Sequence, residues 1–207
     1  MYVRARCKAV QALAPQLLAG TGPHSPARPG ADNPVVFAGF VVTNSETGCG
    51  AAIVTPRIIA RVCDNGMTIT RDAMGAVHLG ERMDEGIQWS ANNTLDRHLE
   101  LVTAKAGDAV TAFLDPGYLA RLVREMGAHA GHRFTDAPKA IEVIGARLRY
   151  TEAQQKEILD HFIAGGSPTA GGIMHAVTSA AQIQDDGDAA WDLETSALDA
   201  LRAAASL

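Results

Sequence analysis

The sequence changes its hydrophobic rhythm once, near Ile87, and that change does most to narrow the folds open to it. Upstream, Val35 to Thr43 (VVFAGFVVT) is rich in β-branched and aromatic residues, with Gly39 as its one breaker, which is the texture of a buried strand. Asn44 to Gly48 (NSETG) predicts a turn, since these residue types bond their own backbone or accept positive φ. Gly50 to Thr55 then returns as a second strand of a hairpin. Pro56 predicts the first turn of a short helical segment over Arg57 to Cys63, with Ile58, Ile59 and Val62 apolar. Asp64-Asn65-Gly66 is a turn signal, Met67 to Thr70 a third strand and Val77 to Leu79 a fourth.

Downstream the period becomes helical. Leu95, Leu99, Val102, Ala106 and Ala109 fall on one face of a helix that runs to about Leu114. Asp115-Pro116-Gly117 breaks it, and Tyr118 to His129 follows with Leu119, Leu122, Val123 and Met126 on one side. Pro138 to Leu148 is a further helix. Thr151 and Gln154 form a capping box that opens the next one, which stops at Gly165-Gly166. Thr169 to Gln182 and Asp188 to Ala205 complete the set. The fold class expected is therefore α+β: a small antiparallel β unit over residues 35–86, then a helical bundle over residues 87–207, in a single domain. Residues 1–19 read as a short basic helix from the spacing of Val10, Leu13, Leu17 and Leu18. Residues 20–34, with four prolines and three glycines, read as a linker.

Charge narrows the function classes. With 18 basic and 23 acidic residues the net charge is −5, which does not describe a generally basic nucleic-acid coat. The distribution is uneven. The first 30 residues hold Arg4, Arg6, Lys8 and Arg28 and no acid, an arm suited to solvent, to phosphate or to a neighbouring subunit. Residues 183–207 hold Asp185, Asp186, Asp188, Asp192, Glu194 and Asp199 against Arg202 alone, and the first three of these suit a helix amino end. No apolar run reaches the roughly 18 residues of a membrane span. The amino-terminal apolar stretch is interrupted by Gln11, Pro15 and Gln16, unlike a signal peptide. Cys7, Cys49 and Cys63 make no CxxC pair and no even-numbered disulfide framework, so reduced thiols and a cytoplasmic location are expected.

Catalytic signatures do not emerge. The seven histidines include His129 and His132, three apart, but this pair spans a glycine-containing helix end, where an imidazole meets the negative dipole. HExxH and Cys/His clusters at ligand spacing are absent, so no metal is expected. GxSxG, GxxxxGK[ST] and GxGxxG are absent as well, and no cofactor is expected. Asp84-Glu85 is a carboxylate pair in a polar stretch without an evident partner. Arginine is the more informative residue. Arg57, Arg61, Arg71 and Arg82 are interleaved with Asp64, Asp72 and Glu81 across the β unit, and together they would line a shallow groove for a sugar-phosphate backbone. Aromatic platforms near that sheet are few: Phe37, Phe40 and Trp89.

The run GFVVTNSETGCGAAIVTPRIIARVCDNGM (Gly39 to Met67), followed by VHLG (Val77 to Gly80), resembles domain-of-unknown-function family 932, a family of phage- and plasmid-like proteins. The matching positions are Asn44, Ser45, Glu46 and Gly48 in the turn, then Arg61, Val62, Cys63, Asn65 and Gly66, then His78 and Gly80. His175-Ala-Val-Thr178 is similar to the family's NAVT segment, with His175 standing where the family has asparagine. The resemblance covers roughly residues 35–200 and implies a mobile-element context without an agreed activity. From the residues and the resemblance together, the expected function is nucleic-acid handling by a homo-oligomer. Single-stranded DNA binding or annealing is the form expected, through Arg57, Arg61, Arg71 and Arg82, with Asn65 and His78 supplying hydrogen bonds. Two alternatives stay open: an interaction or defence-related scaffold that does not bind nucleic acid, and a hydrolase in which His78, Glu46, Asp64 and Cys63 converge.

Overall fold

The computed structural model describes residues 2–14, 35–43, 52–60, 66–76 and 92–207. Within them, five strands precede six helices, the α+β order expected. The strands are β1 (Tyr2–Leu13), β2 (Val35–Thr43), β3 (Ala52–Ala60), β4 (Gly66–Thr68) and β5 (Met74–Ala76). All pairings are antiparallel, in the order β1-β2-β3-β4, with β5 beside the other end of β3. The predicted turn at Asn44 to Gly48 and the predicted strand at Val77 to Leu79 lie outside the described residues.

Two expectations are corrected. Residues 2–13 form a strand, not a helix, and they pair with β2 from Tyr2 opposite Thr43 to Leu13 opposite Val35, with a bulge between Cys7 and Gln11. The reason is in the sequence: Val3, Ala5, Cys7 and Ala9 alternate with Arg4, Arg6 and Lys8, the period of a strand. The segment after Pro56 is likewise a strand to Ala60, because five β-branched residues (Ile53, Val54, Thr55, Ile58, Ile59) outweigh the helix-starting preference of proline. Pro56 is tolerated because it lies between the β5 pairing at 52–54 and the β4 pairing at 57–59, where the ladder is interrupted. Its carbonyl accepts from the Ile69 N–H at 2.8 Å.

Directly opposed residues share a face of a sheet. Val36, Ala38, Ile58, Ala60 and Met67 are such partners, and they enter the main core with Leu119, Leu122, Val123 and Met126. Arg4, Arg6, Gly39, Val41, Thr55, Arg57 and Thr68 share the other face.

The helices are α1 (Asn92–Phe113), α2 (Pro116–Ala130), α3 (Ala137–Leu148), α4 (Glu152–Gly165), α5 (Ala170–Gln182) and α6 (Gly187–Ala205). The chain caps them where the sequence places a capping residue. Asp115 accepts from the Tyr118 N–H and Asp136 from the Lys139 N–H, each just ahead of a proline. Thr151 and Gln154 form the capping box, and Gly166, at φ 67°, closes α4 in the left-handed conformation that glycine adopts freely. Asp186 accepts from the Asp188 N–H at the start of α6, so part of the acidic run serves as a cap. α5 is buried along most of its length, and the alanines of α6 allow close packing against it. A second, smaller cluster joins Val54 of β3 to Ala109 and Phe113 of α1. No helix among the described residues is long and apolar enough to cross a membrane.

Thr151→Ala removes the hydroxyl that accepts from the Gln154 N–H, and is expected to cost about 1 kcal/mol. At this chain length that corresponds to a melting temperature lower by roughly 2–4 °C in thermal denaturation.

Candidate nucleic-acid interface

Of the six residues expected to meet a nucleic acid, Arg57 and Arg71 are described; Arg61, Asn65, His78 and Arg82 lie outside the described residues. So do Glu46, Cys63 and Asp64 of the hydrolase alternative, along with Cys49, Trp89 and Asp84-Glu85.

Arg57 sits in the middle of β3, between Gly39 on one side and Thr68 on the other. A strand in that position is covered, and the Arg57 side chain is 8% exposed. Its Nη2 donates to Glu194 Oε1 at 2.8 Å, and the carboxylate it meets is itself 3% exposed. Arg4 Nε, from β1, approaches the other oxygen of Glu194 at 3.4 Å, and Gln182 Nε2 donates to Oε1 at 3.4 Å. Burial lowers the Arg57 pKa from its ordinary value, opposed by the charge of Glu194, with Arg4 adding to the lowering. Among the described residues, Arg57 Nε and Thr68 Oγ1 have no hydrogen-bond partner. The guanidinium lies directly over Gly66, where any Cβ would overlap it. Arg57 is therefore a buried structural cation, and its placement in an open phosphate groove is corrected: it is dry, and a carboxylate already holds it.

Arg71 lies in a single 3-10 turn, Thr70–Asp72. It is partly exposed, yet both of its terminal nitrogens are engaged by Glu125 of α2, at 2.5 and 2.6 Å. Its Nε lies 3.6 Å from Asp72. Glu125 also accepts from Arg202 Nη2 of α6 at 2.8 Å, and Arg202 approaches Asp199 at 3.5 Å. Tyr118 Oη donates to Asp72 at 2.8 Å and has Arg121 over its ring. Hydrogen bonds from Arg71 and Arg202 hold Glu125 down at about 2. Burial, followed by the bond to Asp72, raises the Tyr118 hydroxyl well above its ordinary value. The corner holds three arginines (Arg71, Arg121 and Arg202) and three carboxylates (Asp72, Glu125 and Asp199), which leaves no excess of positive charge. Arg57 and Arg71 thus belong to separate ion-pair networks, on Glu194 and Glu125, and do not converge.

A row of exposed cations without an acid between them lies instead on β1. Arg4, Arg6 and Lys8 are all exposed residues of a strand that, among the described residues, pairs only with β2. The sequence marks these cations as an arm for solvent, phosphate or a neighbouring subunit, expected in a helix; they lie on a strand, whose alternation the sequence also carries. His129 lies in the last turn of α2, as expected for a histidine at the negative end of a dipole. Among the described residues, no group of three His, Cys, Asp or Glu side chains is placed to hold a metal ion. Tyr150, pushed up to about 12 chiefly by burial, bonds Ser196 at 2.7 Å within the bundle.

No family model matches the chain, nor does any curated protein or solved structure.

Arg57→Ala leaves the buried Glu194 carboxylate with the longer 3.4 Å contacts from Arg4 and Gln182, and is expected to cost about 3 kcal/mol. The double change Arg57→Met, Glu194→Met removes both charges and is expected to recover most of that loss in urea denaturation. For Glu125 the folded-state pKa is depressed, so its contribution is present above the usual carboxylate range and is lost as pH falls through about 2. The side chain is one-third exposed, which limits the contribution to about 0.5–1 kcal/mol. Glu125→Gln should therefore lower the melting temperature at pH 7, with the difference from the unmodified chain closing at pH 2.

Proposed function

We propose that this chain handles nucleic acid as a phage- or plasmid-like binding subunit in the cytoplasm, gripping phosphates of a single strand along β1 and performing no bond chemistry. The observation that carries this reading is the row Arg4, Arg6, Lys8 on an exposed edge strand without an acidic residue. Arg4 and Arg6 face the same side of the sheet, opposite Val41 and Gly39. Alternate residues of a strand are about 6.8 Å apart, a spacing that lets successive cations follow an extended polyanion. The resemblance of residues 39–67 to the phage- and plasmid-like family supports the same class, as a resemblance only. The test is fluorescence anisotropy of a labelled oligonucleotide across a salt series. Expected is binding at low salt that weakens as a power of salt concentration. Arg6→Glu with Lys8→Glu should weaken it at least tenfold, and the salt slope should fall by about 1.4, near 0.7 for each cation removed. Arg71→Ala should leave binding intact. Flat anisotropy at low salt would exclude this reading.

The second reading is an oligomeric interaction protein that does not bind nucleic acid. It is favoured by Val3 and Leu13, 47% and 70% exposed on the same edge strand, since unpaired strand edges with apolar side chains are sites of chain association. Light scattering distinguishes the two: a discrete oligomer with flat anisotropy supports the second.

A further inference from the structure

A cleft of about 420 Å³ lies between α1 and the end of the sheet formed by β2, β3 and β5. Its floor is apolar by register: Val42 opposes Val54 and Val54 opposes Met74, so the three share one face. Its roof is Val102 and Ala106 of α1. Small residues keep it open. Ala106 of α1 and Ala52 of β3, which shares the face of Val54, both line it. Gly75 opposes Ile53, so its backbone borders the cleft while a side chain there would stand on the opposite face of the sheet.

Among the described residues, Lys105 is the one charged residue of the lining. It is exposed, and among the described residues its ammonium meets no carboxylate. An apolar slot with a single cation at its mouth matches a ligand with an aliphatic tail and one negative head. At the roughly 30 Å³ that a water molecule takes up in the liquid, the 420 Å³ space holds at most about fourteen units of that size, enough for a twelve-carbon chain.

We propose that this cleft binds an aliphatic carboxylate, with the chain against Val42, Val54 and Ala106 and the carboxylate on the Lys105 ammonium. The site is separate from the β1 surface, and its occupancy does not depend on nucleic-acid binding. The test is calorimetric titration of the full chain with dodecanoate below its micelle-forming concentration, alongside neutral dodecanol. Expected is saturable one-to-one binding of dodecanoate. Lys105→Glu should weaken it about tenfold or more while leaving dodecanol binding unchanged. Ala106→Phe and, independently, Ala52→Phe should fill the slot and abolish binding of both ligands, with circular dichroism showing each variant folded. Absence of saturable dodecanoate binding by the unmodified chain would overturn the proposal. So would filled, folded variants that bind as well as the unmodified chain, or a Lys105→Glu change that weakens both ligands equally.

Discussion

The contact between Arg57 and Glu194 joins the middle of the sheet to the last helix, across 137 residues of sequence. Taking both charges out of water is expensive, and two apolar residues of similar volume would stabilise the fold nearly as well. What the pair supplies is register. Sliding β3 by one residue would turn Arg57 onto the face now held by Ile58, Val36 and Ala38, where the neighbours are apolar. Two glycines are tied to this geometry. A Cβ on Gly66 would collide with the guanidinium, and one on Gly39, opposite Arg57, would meet the Ala5 carbonyl oxygen at 2.5 Å and Ile59 Cδ1 at 2.8 Å. The close approach of β1 to β2, and the room over β4 for a long cationic side chain, both depend on positions that carry no side chain of their own.

The second ion-pair corner works differently. Arg71, Glu125 and Arg202 are each about one-third exposed, so water screens them and their energetic contribution is small. Their arrangement still ties the 3-10 turn after β4 to α2 and α6 through a single carboxylate. This changes what the acidic character of α6 means. Glu194 neutralises Arg57 and approaches Arg4, Asp199 faces Arg202, and Asp186 caps the helix. A stretch that reads in the sequence as a block of repulsive charge is, at these positions, committed to partners within the molecule.

The helical half was legible because its signals are local. The capping box at Thr151 and Gln154, the Asp-Pro and Asp-Ala-Pro starts, and the stop at Gly166 each act within four residues, and the apolar period between them is regular. The sheet was legible only where one signal stood alone, as at Val35 to Thr43. In residues 1–19 two periods overlap: strand alternation through Lys8 and helical spacing from Val10 onward. At Pro56 a rule about helix starts competed with β-branched neighbours on both sides, and the neighbours decided. The fate of the arginines was not legible at all. Asp64 and Asp72 were the acids at hand in the sequence, but Arg57 is held by Glu194 and Arg71 chiefly by Glu125, 54 residues away. Pairing at that separation depends on how helices return over the sheet, and no local pattern encodes it.

The same physics explains why a basic surface suits β1 better than β3. β3 has neighbours on both sides and lies under covering residues, so a cation there loses its hydration and must be matched by a fixed carboxylate from elsewhere in the fold. Once matched, it cannot exchange that partner for phosphate without leaving a buried acid unpaired. A cation on an exposed edge strand keeps its water and can trade one hydrated contact for another at little cost. Arg4 lies between these two situations, with its side chain 35% exposed and within 3.4 Å of the carboxylate that Arg57 uses. Arg57 holds Glu194 at 2.8 Å, closer than Arg4 at 3.4 Å, so the buried acid does not depend on the edge cation alone.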